Sequence, residues 1–129
     1  MVFLIDDDTD DLEIVKVALE EHSYKGPVNT ATDGERLFKL MGNNYEYRPD
    51  VIVLDLNMPL MDGFQALRQI KENAVLCHIP VIVLTASSSK EDERRCFELG
   101  CDFFLRKPTK IDDYIPLVSI IKRFVSRTH

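Results

Sequence analysis

Four polar signatures stand directly after runs of apolar residues. Asp6-Asp7 follows Val2-Phe3-Leu4-Ile5, Asp55 follows Val51-Ile52-Val53-Leu54, Thr85 follows Val81-Ile82-Val83-Leu84, and Arg106-Lys107 follows Phe103-Phe104-Leu105. If the apolar runs are parallel, adjacent strands, their following side chains meet at one end of a sheet. Three carboxylates in a small space repel one another, and one must take up a proton unless something compensates. The usual compensation is a hard divalent cation. An all-oxygen ligand set suits magnesium, which keeps several waters and often bridges to a phosphate. Asp55 is a competent nucleophile towards phosphorus, because carboxylates form aspartyl-phosphate intermediates. Thr85 can hydrogen-bond a phosphoryl oxygen, and Lys107 can pair with a carboxylate or with that phosphoryl group. Metal and lysine together would neutralise phosphoryl oxygens in a transfer that is mostly positioning and electrostatics. Taken singly, each aspartate is more often a helix cap or turn former, Thr85 structural and Lys107 a solvated charge. Independent caps would not gather at the same end of one sheet.

The elements that must position these residues alternate. Val2–Ile5 has no polar face, as expected of a strand buried on both sides. Leu12, Val15 and Leu19 follow at helical spacing, with Asp10 and Asp11 in the first turn, where carboxylates favour the helix dipole. Gly26-Pro27 breaks the pattern before a weaker strand over Val28–Thr32. Asp33 can cap the helix carrying Leu37, Phe38 and Leu40, which Gly42-Asn43-Asn44 ends, and a polar connection runs from Tyr45 to Pro49. After the strand at 51–54, Pro59 and Gly63 bracket a loop, and Phe64, Leu67 and Ile70 mark a helix. The segment from Ser87 to Arg95 begins with serine caps and has a thin apolar edge of Cys96, Phe97 and Leu99 before Gly100. A last helix carries Ile111, Tyr114, Ile115, Val118, Ile121 and Val125. Proline deep inside a helix costs about 3 kcal/mol, whereas in the first turn its missing N–H has no partner to lose. Pro116 therefore places the start of that helix near Asp112 or Asp113. Strand–helix repeated five times implies an α/β fold, a parallel sheet with helices on both faces and ligands beyond the carboxyl ends of the strands.

A chain of 129 residues fits one domain. Its 45% hydrophobic and 29% charged content reads as globular and not disordered. The formal net charge of −6 runs against a nucleic-acid module, which needs clustered Lys and Arg. No apolar run approaches the length of a membrane span and no signal peptide opens the chain, so the cytoplasm is the expected location. Cys77, Cys96 and Cys101 are odd in number and lack CxxC spacing, which reads as reduced, mostly buried thiols.

Asp6-Asp7, Asp55 within VIVLDLNMPLMDG, Thr85-Ala86 and Lys107-Pro108 resemble the receiver domain of two-component response regulators. The likeness runs from Val2 to the last helix, with the positions agreeing in order and spacing. Within the family, the LDLNMPLMDG loop and the long Gly42 to Pro49 connection are most similar to stand-alone regulators associated with bacterial phytochromes. The resemblance implies a flavodoxin-like fold of five parallel strands in the order 2-1-3-4-5. It implies that Asp55 accepts a phosphoryl group from a phosphohistidine on a sensor histidine kinase or phosphotransfer protein. Asp7 and Asp55 would bind Mg²⁺ directly, Asp6 mainly through water, and Asn57 through its backbone carbonyl. Lys107 would contact the phosphoryl group or Asp55, Thr85 would swing towards the phosphate, and Phe104 would be the switch aromatic that fills the vacated space. Phe104 has no hydroxyl, so burial alone would favour its inward state. Asn57 and Ser87, each two residues beyond a site residue, would flank the acyl phosphate.

The expected organisation is one receiver over residues 1–129 with no output domain, signalling through its own surface. The resemblance points to the helix from Ser88 to Leu99, the strand at Phe103 and the last helix as that surface, with a homodimer or docking to the kinase left open there. No enzyme activity beyond slow loss of the phosphoryl group is expected, and no nucleic acid or membrane partner. Two alternatives stand beside this: a receiver-like module that binds without phosphorylation, and a magnesium-dependent aspartyl phosphatase. Such phosphatases usually carry a second aspartate two residues after the nucleophile, where this chain has Asn57, which cannot act as an acid.

Overall fold

A computed structural model describes residues 1–41, 48–56, 62–86 and 89–125. The strands are β1 (Val2–Ile5), β2 (Val28–Ala31), β3 (Val51–Leu54), β4 (Val81–Thr85) and β5 (Phe103–Arg106). The helices are α1 (Thr9–Glu21), α2 (Glu35–Met41), α3 (Gly63–Glu72), α4 (Lys90–Glu98) and α5 (Ile115–Val125). All pairings are parallel and the sheet order is β2-β1-β3-β4-β5, the flavodoxin-like arrangement expected.

Alternation along the central strands feeds two cores. Phe3, Ile5, Ile52, Leu54, Val81 and Val83 face one way, against Leu37 of α2, Leu67 and Ile70 of α3 and Cys96 of α4. Val2, Leu4, Val51, Val53, Ile82 and Leu84 face the other way, against Leu12, Val15 and Leu19 of α1 and Leu117, Val118 and Ile121 of α5. This explains why β1, β3 and β4 read as unbroken apolar runs: each side of the pleat has its own helical layer. Fully burying one such aliphatic side chain contributes roughly 1.5–3 kcal/mol.

Loop chemistry fixes the ends. Asp8, Asp62 and Ser89 cap α1, α3 and α4, accepting from Asp10 N at 2.9 Å, Gln65 N at 2.8 Å and Asp92 N at 3.2 Å. Asp33 accepts from Arg36 N at 3.1 Å. A Cβ at Gly63 would lie 2.3 Å from Leu56 Cα, so only glycine lets α3 begin hard against the exit of β3. Gly100, at φ 102°, closes α4 with Cys101 N donating to Cys96 O at 3.0 Å.

The last helix differs slightly from expectation. Residues Ile111–Tyr114 form a 3₁₀ turn and α5 starts at Ile115, which puts Pro116 in the first turn, where it removes no helical hydrogen bond. A second 3₁₀ turn, Leu76–His78, has no counterpart in the periodicity. The helix end at Gly42-Asn43-Asn44 lies outside the described residues. Among the described residues no helix is long and apolar enough to cross a membrane.

Candidate functional site

The site is built by extending the strand ladder one step past its regular ends. Asp6 N donates to Ala31 O at 3.1 Å, Asp55 N to Ile5 O at 2.9 Å, and Lys107 N to Thr85 O at 2.8 Å. The backbone thereby sets Asp6 beside Asp55, and Lys107 beside Thr85, at the carboxyl end of the sheet. Asp6 and Asp55 are buried, Thr85 is fully buried and Asp7 is exposed.

Asp6, Asp7 and Asp55 can each offer a carboxylate oxygen, all lying within 4.8 Å of one another. A hard, oxygen-only donor set at that spacing fits a divalent cation of the magnesium kind. Asp6 already has protein partners on both oxygens: Oδ1 accepts from Asp8 N at 2.9 Å and Oδ2 lies 2.8 Å from Lys107 Nζ. Asp7 lies on the solvent side of the cluster and Asp55 on the protein side. Asn57 and Ser87 lie outside the described residues.

Lys107 is the sole cation paired with these carboxylates among the described residues. Its ammonium is 2.7 Å from Asp11 Oδ2 and 2.8 Å from Asp6 Oδ2, but 3.6 Å from Asp55 Oδ2. Burial alone would lower the lysine's pKa; the hydrogen bonds to Asp11 and Asp6 outweigh it and push the group above its ordinary value, so it stays charged. Burial raises Asp6 to about 6, against the lowering pull of Lys107 and the Asp8 N–H, and the charge of Asp55 adds to the rise.

The strand-end residues Asp6, Asp7, Asp55, Thr85 and Lys107 thus share the carboxyl end of the sheet. Phe104, on β5 opposite Val83, is half-buried against the core layer of α2, α3 and α4. Asp11 was not anticipated as part of the cluster. As a first-turn acid it looks no different from Asp10. The signal lay in its face: positions 11, 15 and 18 are spaced i, i+4, i+7, so Asp11 continues the buried stripe of Val15 and Ala18.

The chain matches known proteins along most of its length. The sequence profile described as "Response regulator receiver domain" matches residues 2–119. Response regulator Rcp1 of Synechocystis is 31% identical over 128 residues, spanning 96% of this chain and 87% of that protein. The phosphorylated cyanobacterial phytochrome response regulator RcpA superposes with a TM-score of 0.84 at 29% identity, covering 98% of this chain and 94% of that one. The Mn²⁺-bound form of Rcp1 superposes with a TM-score of 0.80 at 30% identity, covering 96% and 92%. Several other curated relatives are longer, and the chain spans 23% to 50% of their length. With a profile match over residues 2–119 laid on the fold and the strand-end cluster, the chain belongs to the response regulator receiver domain family.

Proposed function

We propose that this receiver is a phosphoacceptor in a two-component relay, with Asp55 the residue that is phosphorylated. The observation that carries the reading is the gathering of Asp6, Asp7 and Asp55 oxygens within 4.8 Å of one another, beside Lys107, at the exits of β1, β3 and β5. A carboxylate oxygen of Asp55 attacks the phosphorus of a phosphohistidine on a sensor histidine kinase or phosphotransfer protein. The P–N bond breaks, its electron pair returns to the imidazole, and the ring takes up a proton. Asp7 and Asp55 would ligate Mg²⁺, with Asp6 outside them; the ion, when bound, supplies positive charge for the phosphoryl oxygens. Lys107 supplies a second positive charge, and the Thr85 hydroxyl donates to a phosphoryl oxygen. Receivers similar to this one carry the names of phytochrome regulators, which supports a phytochrome-type kinase as the donor.

The readout is a surface. Movement of Thr85 towards the phosphate and of Phe104 into the space it leaves would bias a two-state equilibrium. The α4-β5-α5 face is the one that would change. Phe97 on α4 and Ile115 at the start of α5 are large hydrophobic residues 48% and 46% exposed, as a partner-binding face requires. The receiver carries out no turnover of its own beyond slow hydrolysis of the acyl phosphate.

Acetyl phosphate with Mg²⁺ tests the reading by intact mass. One phosphoryl group is expected on the wild type and none on Asp55→Asn. Equal labelling of the two removes Asp55 as acceptor, and no labelling of either favours a module that binds without phosphorylation.

A further inference from the structure

Lys107 sits closer to Asp11 and Asp6 than to Asp55, the residue it would serve in phosphoryl transfer. An ammonium has three N–H donors. Two are directed at Asp11 Oδ2, 2.7 Å away, and Asp6 Oδ2, 2.8 Å away, while Asp55 Oδ2 stands at 3.6 Å, beyond hydrogen-bond range. Asp11 is well placed to hold this position. It lies on the first turn of α1, whose N-cap Asp8 is fixed, and its side chain is only 28% exposed. Tyr114, in the turn after β5, is buried close enough for its hydroxyl to feel the charges of both Asp11 and Lys107. The carboxylate stands on α1, which packs against the Ile111–Tyr114 turn, and the lysine directly follows β5, its backbone N tied to Thr85 O at 2.8 Å, so both stems are anchored.

We propose that Asp11 is a positioning residue for Lys107: its carboxylate holds the ammonium off Asp55, so that lysine and divalent cation do not compete for the same carboxylate. Without Asp11 the ammonium keeps Asp6 and closes on Asp55. That direct pair occupies an oxygen the cation would use, and metal affinity falls although Asp11 is no ligand. The inference rests on the reading of Asp55 as metal-binding phosphoacceptor. A plain helix-dipole role for Asp11 would alter stability without involving Lys107 at all.

The test is a double-mutant cycle on metal binding, with Mn²⁺ as the probe and the electron paramagnetic resonance of free Mn²⁺ as the readout. Wild type, Asp11→Ala, Lys107→Ala and the double variant are compared, each checked for cooperative thermal unfolding. Asp11→Ala is expected to weaken Mn²⁺ binding about tenfold in the wild-type background, as loss of an outer-shell partner does. In the Lys107→Ala background the same change should cost about twofold or less, the residue of a screened charge. Asp11→Asn keeps an acceptor for the ammonium and should recover most of the affinity. It should also leave the Lys107 Nζ resonance near its wild-type position, while Asp11→Ala shifts it. Equal losses in the two backgrounds, no loss in either, or an Asn variant as weak as Ala would overturn the inference. Acetyl phosphate labelling is scored separately. Labelling that survives Asp55→Asn overturns the phosphoacceptor reading, whereas Asp55-dependent labelling with an additive cycle overturns the role of Asp11 alone.

Discussion

The two ends of the sheet each hold an aspartate–lysine contact, and they are built on opposite principles. At the amino end, Asp102 stands just before β5. Its Oδ2 accepts from Val81 N at 2.8 Å and from Lys71 Nζ at 3.2 Å, and Lys71 also donates to Ile79 O at 3.2 Å. One carboxylate and one ammonium are matched there, and backbone groups take up what is left. At the carboxyl end, Lys107 faces Asp6, Asp11 and Asp55, with Asp7 beside them. Among the described residues, one ammonium is paired with three carboxylates, and a fourth, Asp7, adjoins two of them. The residue types are the same, but the first set closes a loop, while the second has, among the described residues, more carboxylates than cationic side chains. That excess, more than burial or the presence of ion pairs, separates a binding site from a structural tie.

The largest test of the difference adds a cation. Mg²⁺ binding to the folded state alone would stabilise the protein by about 4 kcal/mol at a concentration about 1,000 times its Kd. The rise in melting temperature should vanish in Asp7→Ala and persist in Asp102→Ala. A rise that survives Asp7→Ala would place the ion elsewhere.

Next comes pH, through Asp6 in the metal-free protein. Burial is the main cause that raises its carboxyl from 3.8 to about 6 in the folded state. Protonated Asp6 therefore contributes stability that is complete below the unfolded pKa and is lost as pH rises through about 6, because the folded state binds the extra proton. The loss is at most about 3 kcal/mol, each pKa unit being worth about 1.4 kcal/mol. Asp6→Asn keeps an acceptor for Asp8 N and has no charge to create. The wild type should match it near pH 4 and fall below it by about pH 6.5 in urea denaturation midpoints. A difference between the two that stays flat with pH would show that Asp6 does not carry this pH dependence.

What the sequence made legible, and what it hid, divides along the same line. Asp6, Asp7, Asp55 and Lys107 stood out because each ends an apolar run, and parallel strands bring such ends together whatever the loops do. The two core layers were readable from β1, β3 and β4 for the same reason. Asp11 and the Lys71–Asp102 tie were obscured because they depend on how elements pack: Lys71 and Asp102 are 31 residues apart and meet only once α3 lies beside the entry to β5. The 3₁₀ turn at Ile111–Tyr114 was hidden differently, since four residues are too few for helical periodicity to separate it from the first turn of α5.

The smallest effects belong to the amino end, and they differ in size for a reason the geometry supplies. Asp102→Ala removes the acceptor of Val81 N, whose residue is fully buried, and should cost about 2 kcal/mol in chemical denaturation, the penalty for a buried N–H left without its bond. Lys71→Met removes the ammonium but keeps an unbranched stem to pack against Gly100. The Asp102 side chain is 42% exposed, so solvent screens that pair, and the change should cost less than about 1 kcal/mol. Neither variant should alter labelling of Asp55, because both side chains lie at the opposite end of the sheet from it. If Lys71→Met proved as costly as Asp102→Ala, the tie would be an ion pair first and a backbone clamp second. The contrast between a matched end and an unmatched one would then have to be drawn on solvation instead of on charge count.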